Sequence, residues 1–304
     1  MRQSLQRLAY CASILVCVPV AISCGGPETV EPPLATPSVV LNHERAPAGS
    51  PLEITYRFDV AADANIDEDY WVMAHVVDTD EELMWTDDHL PPTPTSQWAP
   101  GETIEYTRTI FVPIFPYIGE AALHVGLYRC AAPPDCSDPN DRRFPLSGED
   151  VGQFAYRVAR LSLAPQTDNL FAVFKDGWHP AEVAGDDATI EWQWSKQEAT
   201  LAFRNPMKDA ILFLDADNPG GSYIGPSTVQ IKLGGEVVEE FVLEPEERVL
   251  RKVRLPADQL GSEEMSELTM SVDKTFVPAE TPAAGSSDPR ELGLRVFHAF
   301  VDPR

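Results

Sequence analysis

Six residues in the first third of the chain have the types and spacing of a divalent-metal site: His75, Asp78, Asp80, Asp87, Asp88 and His89. If their two segments fold back as a hairpin, carboxylates and imidazoles converge, and Ca²⁺ or Zn²⁺ could bind. A solvated acidic hairpin loop is the simpler reading. Asp215-Ala216-Asp217-Asn218-Pro219-Gly220 opens like a calcium loop, with Gly at the sixth position. Its twelfth position is Pro226, where a bidentate Glu belongs. It reads better as an Asx-turn loop between strands. No metal is assigned. Six tryptophans, Trp71, Trp85, Trp98, Trp178, Trp192 and Trp194, could offer indole faces to a sugar ring. Trp192 and Trp194 share a face with Ile190, which places them in a core. Trp85 and Trp98 stand in polar loop contexts and are the candidate ligand platform. Trp178, in Trp178-His179-Pro180, is a candidate cleft rim, with a buried corner as the simpler reading.

Motifs for catalysis are absent from the sequence. There is no Gly-x-Ser-x-Gly elbow, no Gly-rich phosphate loop and no His-Glu-x-x-His. With 48 Asp+Glu residues some carboxylate pair is inevitable, so pairs alone are no evidence for a glycosidase. No catalytic residue and no cofactor is assigned. Lys+Arg number only 23, for a formal net charge of −25. That excludes a nucleic-acid partner, which needs a basic face.

At the N-terminus, Arg2 and Arg7 precede an apolar run from Leu8 to Ile22, too short to span a bilayer. This is the shape of a secretory signal. Ala21-Ile22-Ser23-Cys24, followed by Gly25-Gly26, resembles the lipobox of bacterial lipoproteins. The resemblance implies that residues 1–23 are removed and Cys24 carries lipid. Cys11 and Cys17 fall within the signal, which leaves Cys130 and Cys136. In an exported chain this pair reads as a disulfide closing a small Pro-rich loop, with a metal site as the alternative. Gly25 in place of Asp points to an outer-membrane destination, if the source has two membranes. Residues 24–38, with Pro27, Pro32, Pro33 and Pro37, read as a disordered tether.

Behind the tether, 28 prolines leave little room for long helices. Leu52, Ile54, Tyr56, Phe58 and Val60 alternate with polar residues, the clearest strand of the chain. Tyr70–Val77, Ile104–Val112, Ala121–Tyr128 and Phe154–Leu163 read as further strands. Ala-Pro-Gln-Thr-Asp at 164–168 breaks the pattern. Strands then recur at Ile190–Trp194, Ala199–Phe203, Ala210–Leu214, Val229–Leu233, Val249–Leu255, Leu268–Val272 and Leu294–Val301. Gly234-Gly235 marks a hairpin. One short helix is expected around Ala257–Leu268, interrupted by Gly261. The fold class is all-β: two tandem antiparallel β-sandwiches, immunoglobulin-like or jelly-roll-like, over 39–164 and 165–304.

Asp88-His89-Leu90-Pro91-Pro92-Thr93-Pro94-Thr95-Ser96, Trp98-Ala99-Pro100-Gly101-Glu102 and Gly126-Leu127-Tyr128 resemble stretches of bacterial β-sandwich modules. Gly177-Trp178-His179-Pro180-Ala181-Glu182, Trp192-Gln193-Trp194 and Ser287-Asp288-Pro289-Arg290-Glu291-Leu292-Gly293 resemble a second module type. That type is attached to some bacterial membrane glycosyltransferases and exported polysaccharide-related proteins. Neither resemblance brings catalytic residues. The expected function is a membrane-anchored, non-catalytic binding or assembly lipoprotein of the cell envelope, its partner a glycan or an envelope protein. A carbohydrate-active hydrolase and a structural spacer are the alternatives.

Overall fold

Alternation of apolar and polar side chains builds the sheets. Leu52, Ile54, Tyr56, Phe58 and Val60 are at most 5% exposed, while Arg57 and Asp59 between them face solvent. The computed structural model describes residues 31–114, 117–132, 136, 138, 141–185 and 190–304. The expected signal and Cys24, expected to carry lipid, lie outside the described residues.

The first ten strands are β1 (Ala35–Leu41), β2 (Arg45–Pro47), β3 (Pro51–Val60), β4 (Trp71–Val77), β5 (Leu83–Thr86), β6 (Thr103–Phe111), β7 (Gly119–Arg129), β8 (Arg142–Phe144), β9 (Glu149–Gly152) and β10 (Ala155–Ala164). They form a three-stranded sheet, β1-β3-β6, and a larger one, β2-β10-β7-β4-β5, with β8 on β7 and β9 on β10. Inward residues of both sheets, among them Tyr56, Phe58, Val72, Leu123 and Leu127, share one core. The next ten are β11 (Ala172–Phe174), β12 (Glu182–Val183), β13 (Glu191–Trp194), β14 (Glu198–Arg204), β15 (Ala210–Asp217), β16 (Ser227–Leu233), β17 (Glu236–Leu243), β18 (Arg248–Leu255), β19 (Met265–Val272) and β20 (Arg295–Pro303). Their sheets are β11-β14-β19-β16-β17 and β12-β13-β20-β15-β18. A second core lies between them, built on Leu201, Phe203, Leu212, Ile231 and Leu268. The fold is all-β.

Four details depart from the expected pattern. Strand β1 begins at Ala35, inside the stretch read as tether. Pro37 fits there because β1 is an edge strand, where a missing N–H breaks no ladder. Strand β2 pairs with β10 in parallel, an exception among otherwise antiparallel pairings. The expected helix is one turn, Ala257–Leu260, stopped by Gly261 at φ 73°. Met265–Val272 beyond it is strand β19. Asp215 and Asp217 are not loop residues: both lie in β15, so the calcium-loop spacing there is incidental.

Residues Pro33–Arg304 form one compact unit. The two pairs of sheets meet through polar and ring contacts. Glu53 takes hydrogen bonds from Lys252 and Arg304, and Arg45 pairs with Asp168. Phe111 lies flat on the His298 ring, centroids 3.8 Å apart.

Candidate functional site

Period two decides which side chains leave the first core. In β4, Val72, Ala74 and Val76 point inward, and Trp71, Met73 and His75 point to the opposite face. In β7, Leu123, Val125 and Leu127 point inward, and His124, Gly126 and Tyr128 point out. The register sets Trp71 beside Tyr128, Met73 beside Gly126 and His75 beside His124. The half-buried rings of Trp71 and Tyr128 therefore flank each other, centroids 6.3 Å apart at 32°. They open into a cleft of about 490 Å³, whose polar lining includes His75, Thr86, Asp88, Arg129, Asp141, Arg142 and Arg143. The cystine Cys130–Cys136 closes one end: Cys136 is part of the lining.

The same alternation splits Asp87 from Asp88. The chain after β5 continues along β4: Val72 and His89 exchange both backbone hydrogen bonds. Asp87 N–H donates to the Ala74 carbonyl at 2.7 Å. The return bond from Ala74 N–H goes to the Asp88 side chain, at 2.9 Å. A carboxylate has thus taken a ladder position, and it is held on the outer face. Asp88 also accepts from Tyr128 Oη at 3.2 Å and lies 3.3 Å from His75 Nε2. Burial pushes the Asp88 carboxyl up, but the bonds from His75, the Ala74 N–H and Tyr128 outweigh it, and it lies below the usual carboxylate range. Burial and then the Asp88 charge push the Tyr128 phenol up, so it stays a donor.

Asp87 faces inward. Arg108 donates to it twice, at 2.8 and 2.7 Å, and Tyr56 Oη lies 3.3 Å away. The Asp87 carbonyl accepts from His89 Nδ1 at 2.6 Å. A carbonyl only accepts, so Nδ1 carries the proton and Nε2 accepts from Tyr106 Oη at 2.8 Å. Burial lowers the pKa of this histidine. The network ties the larger sheet to β6 and is structural.

One hairpin crosses the floor of the outer face. Gln153 and Phe154 join β9 to β10 with φ of 54° and 56°, a two-residue turn that normally takes Asn-Gly. Two larger residues held there store strain, which clusters at functional sites. A Cβ on Gly126 would lie 2.8 Å from the Phe154 carbonyl, so only glycine lets the turn come this close. The Phe154 side chain is 43% exposed at this edge.

No protein-family model matches the sequence, and no curated protein does. Solved structures superpose weakly. The M60 catalytic domain with CBM51-1 and CBM51-2 from Clostridium perfringens ZmpB gives a TM-score of 0.25 at 9% identity, over 84% of this chain and 34% of that one. Bacteroides uniformis β-glucuronidase gives 0.30 at 12% identity, over 88% of this chain and 30% of that one. A structure of CBM51-2 in complex with GlcNAc and INT domains from the same ZmpB gives 0.23 at 10% identity, over 61% and 38%. The chain thus spans about a third of each, and superposition this loose carries no argument about function.

The tryptophans chosen from sequence do not form the cleft. Trp98 is 3% exposed, packs on Phe58 at 5.0 Å and donates to the Thr93 carbonyl. The loop Asp88–Ser96 that seemed polar folds over it, so Trp98 offers no face to a ligand. Trp85 sits in β5 opposite Val76 and packs against the first core. Trp178 packs against the second core and donates to the Thr200 carbonyl at 2.9 Å. The three are not brought together in one concave patch. Trp194 is buried and Trp192 half-buried beside it, in a small cluster with Phe276 and Leu292, while Ile190, expected on the same buried face, is 41% exposed. Of the six candidate metal ligands, His75 and Asp88 meet in the cleft, 3.3 Å apart, but the set does not converge on one point. Asp78 caps its own turn through the N–H groups of Asp80 and Glu82, Asp87 and Asp88 lie on opposite faces, and His89 is buried. Among the described residues no group of three such side chains could hold a metal ion. Sequence reasoning placed Trp71 only among six tryptophans and missed Tyr128 and Arg143. Gly126 inside an apolar strand was the available signal, because such a glycine marks a close backbone approach.

Proposed function

We propose that the chain is a non-catalytic glycan-binding lipoprotein of the bacterial cell envelope, with its ligand seat in the cleft over β4 and β7. One observation carries this reading: two half-buried aromatic rings, Trp71 and Tyr128, stand side by side at a cleft whose wall holds the fixed acceptor Asp88. Aromatic faces cover the C–H surface of a pyranose, and a rigid carboxylate takes its hydroxyl hydrogens. The Asp88 carboxyl is not suited to be a general acid. A general acid needs a raised pKa, and this group is held low by three donors. The other carboxylate of the cleft, Asp141, is engaged by the N–H groups of Ala131 and Asp138. The anchor rests on the lipobox-like Ala21-Ile22-Ser23-Cys24.

A glycan panel against the full chain in detergent tests the seat. Trp71→Ala is expected to lower affinity at least tenfold, about 1.4 kcal/mol, and Trp192→Ala to leave it unchanged. Equal effects of the two would refute the placement. Release of reducing ends from a bound glycan would refute the non-catalytic reading. Intact mass of the membrane fraction with and without Cys24→Ser tests the lipid, and an unchanged mass would refute it.

A further inference from the structure

Most of the described arginines are answered by the chain's own carboxylates. Arg108 is bound twice by Asp87, Arg248 twice by Asp215 and Arg295 twice by Asp217, and Arg290 is held by Asp288 and Glu182. With 48 acids to 23 bases this is expected. Arg143 breaks the pattern, as do Arg160, Arg204 and Arg251, but of these four only Arg143 lines the cleft. Strand β8 pairs with β7 so that Arg143 lies opposite Tyr128, on the same face and in the lining of the cleft. Its side chain is half-buried. Its one hydrogen bond among the described residues runs from Nη1 to the Gln153 carbonyl at 3.1 Å, and no described carboxylate pairs with it. That carbonyl belongs to the left-handed turn at Gln153 and Phe154. A strained turn therefore holds a guanidinium in the cleft lining and leaves its remaining donors without a described partner. Arg129, on the same wall, reaches only Glu68 in an exposed pair, which is weak and exchangeable.

We propose that the ligand of this cleft is a carboxylated saccharide, a uronic-acid unit of a glycan, with its ring on Trp71 and Tyr128 and its carboxylate on Arg143. The inference rests on the glycan reading above and adds the charge of the sugar. A guanidinium presents paired donors that match a carboxylate, and it does so best where water is partly excluded. The overall negative charge of the chain does not forbid this, because at physiological salt fields beyond about 8 Å are screened and the contact pair decides.

The test compares trigalacturonate with its methyl ester, which keeps the rings and removes the charge, by calorimetry on the full chain in detergent. The acid is expected to bind at least tenfold more tightly than the ester. Arg143→Gln should bring that ratio to about one while leaving ester affinity in place. Arg143→Lys, which keeps the charge and loses the fork, should restore part of the preference. Equal binding of acid and ester by the native chain, or a preference that survives Arg143→Gln, overturns the carboxylate assignment and leaves the glycan reading standing. Failure of both saccharides, and of every neutral glycan, overturns both. The native acid-to-ester ratio decides the matter even if a variant does not fold.

Discussion

The outer faces of two sheets carry nearly the same residue types and end in opposite states. Over β4 and β7 stand Trp71, Tyr128, Asp88 and Arg143. Over β15 and β20 stand Trp192, Phe297, Asp215, Asp217, Arg248 and Arg295. On the second face each arginine is locked by a neighbouring aspartate in two bonds of 2.6–2.8 Å. Phe297 lies under both guanidinium groups, 3.7 Å from Arg248 and 5.1 Å from Arg295. Its charges satisfy one another, though the Trp192 indole N–H is buried without a described partner. On the first face Asp88 is answered by a histidine and a phenol, and Arg143 by a backbone carbonyl. Aromatics and arginines on a sheet therefore do not mark a site by themselves. What marks it is which charges the protein leaves for something else to meet.

Removing one carboxylate from each face separates the two most strongly. Asp215 is about 10% exposed at its side chain and holds both Arg248 and His298. Asp215→Ala is expected to destabilise by about 3 kcal/mol, the low end for a broken buried pair because Arg248 is itself half exposed. Asp88→Ala loses hydrogen bonds in a more open place and is expected to destabilise by about 1 kcal/mol, while abolishing ligand binding. Urea midpoints measure both. Equal losses of stability would mean that the first face is as structural as the second. Next in size is Gly126→Ala, expected to destabilise by about 2 kcal/mol because the added carbon meets the Phe154 carbonyl. Displacing that turn also moves Arg143, so binding should fall with it. A variant of native stability and affinity would show that the turn yields freely. Opposite in sign is Gln153→Asn with Phe154→Gly. It supplies residues that accept φ > 0, and should stabilise by about 1 kcal/mol while weakening binding several-fold. Gain of stability without loss of affinity would remove the turn from the site.

Sequence showed the layers better than the site. Where one face is buried and the other wet, as in β3 and β16, alternation alone places the strand, and Gly234-Gly235 at φ 59° and 91° make the hairpin expected of them. Strand β15 reads as a plain apolar run with a loop after it, because its acids are neutralised by arginines on strands distant in sequence. The cleft was hidden for a related reason. Strand β8 has three residues and no periodicity to detect, yet it delivers Arg143. The direction of Asp88 follows from its register with Met73, which no local pattern fixes. Polar context misled on Trp98, whose surrounding prolines fold it inward rather than presenting it.

Acid should distinguish the two halves by the smallest of these effects. His89 is buried beside Asp87, Arg108, Tyr56 and Tyr106, and burial, the largest influence, holds its folded pKa below the ordinary 6.5. His124, with Glu81 and Arg157 beside it, is lowered for the same reason. An unfolded chain therefore binds more protons than the folded one as pH drops through 6.5, and the stability of the first pair of sheets falls with it. Asp215 in the second pair is shifted the other way relative to its chemistry: its folded pKa lies below 3.8, so its contribution is complete above that value and is lost only as pH falls through the lower one. Between pH 7 and 5, amide exchange in β4 and β7 should therefore accelerate more than in β15 and β20. His89→Gln should remove part of that difference, since its side-chain oxygen or nitrogen can meet Tyr106 without titrating. Exchange that accelerates equally in both regions, or a difference untouched by the substitution, would place the acid-sensitive element outside the Asp87–His89 network.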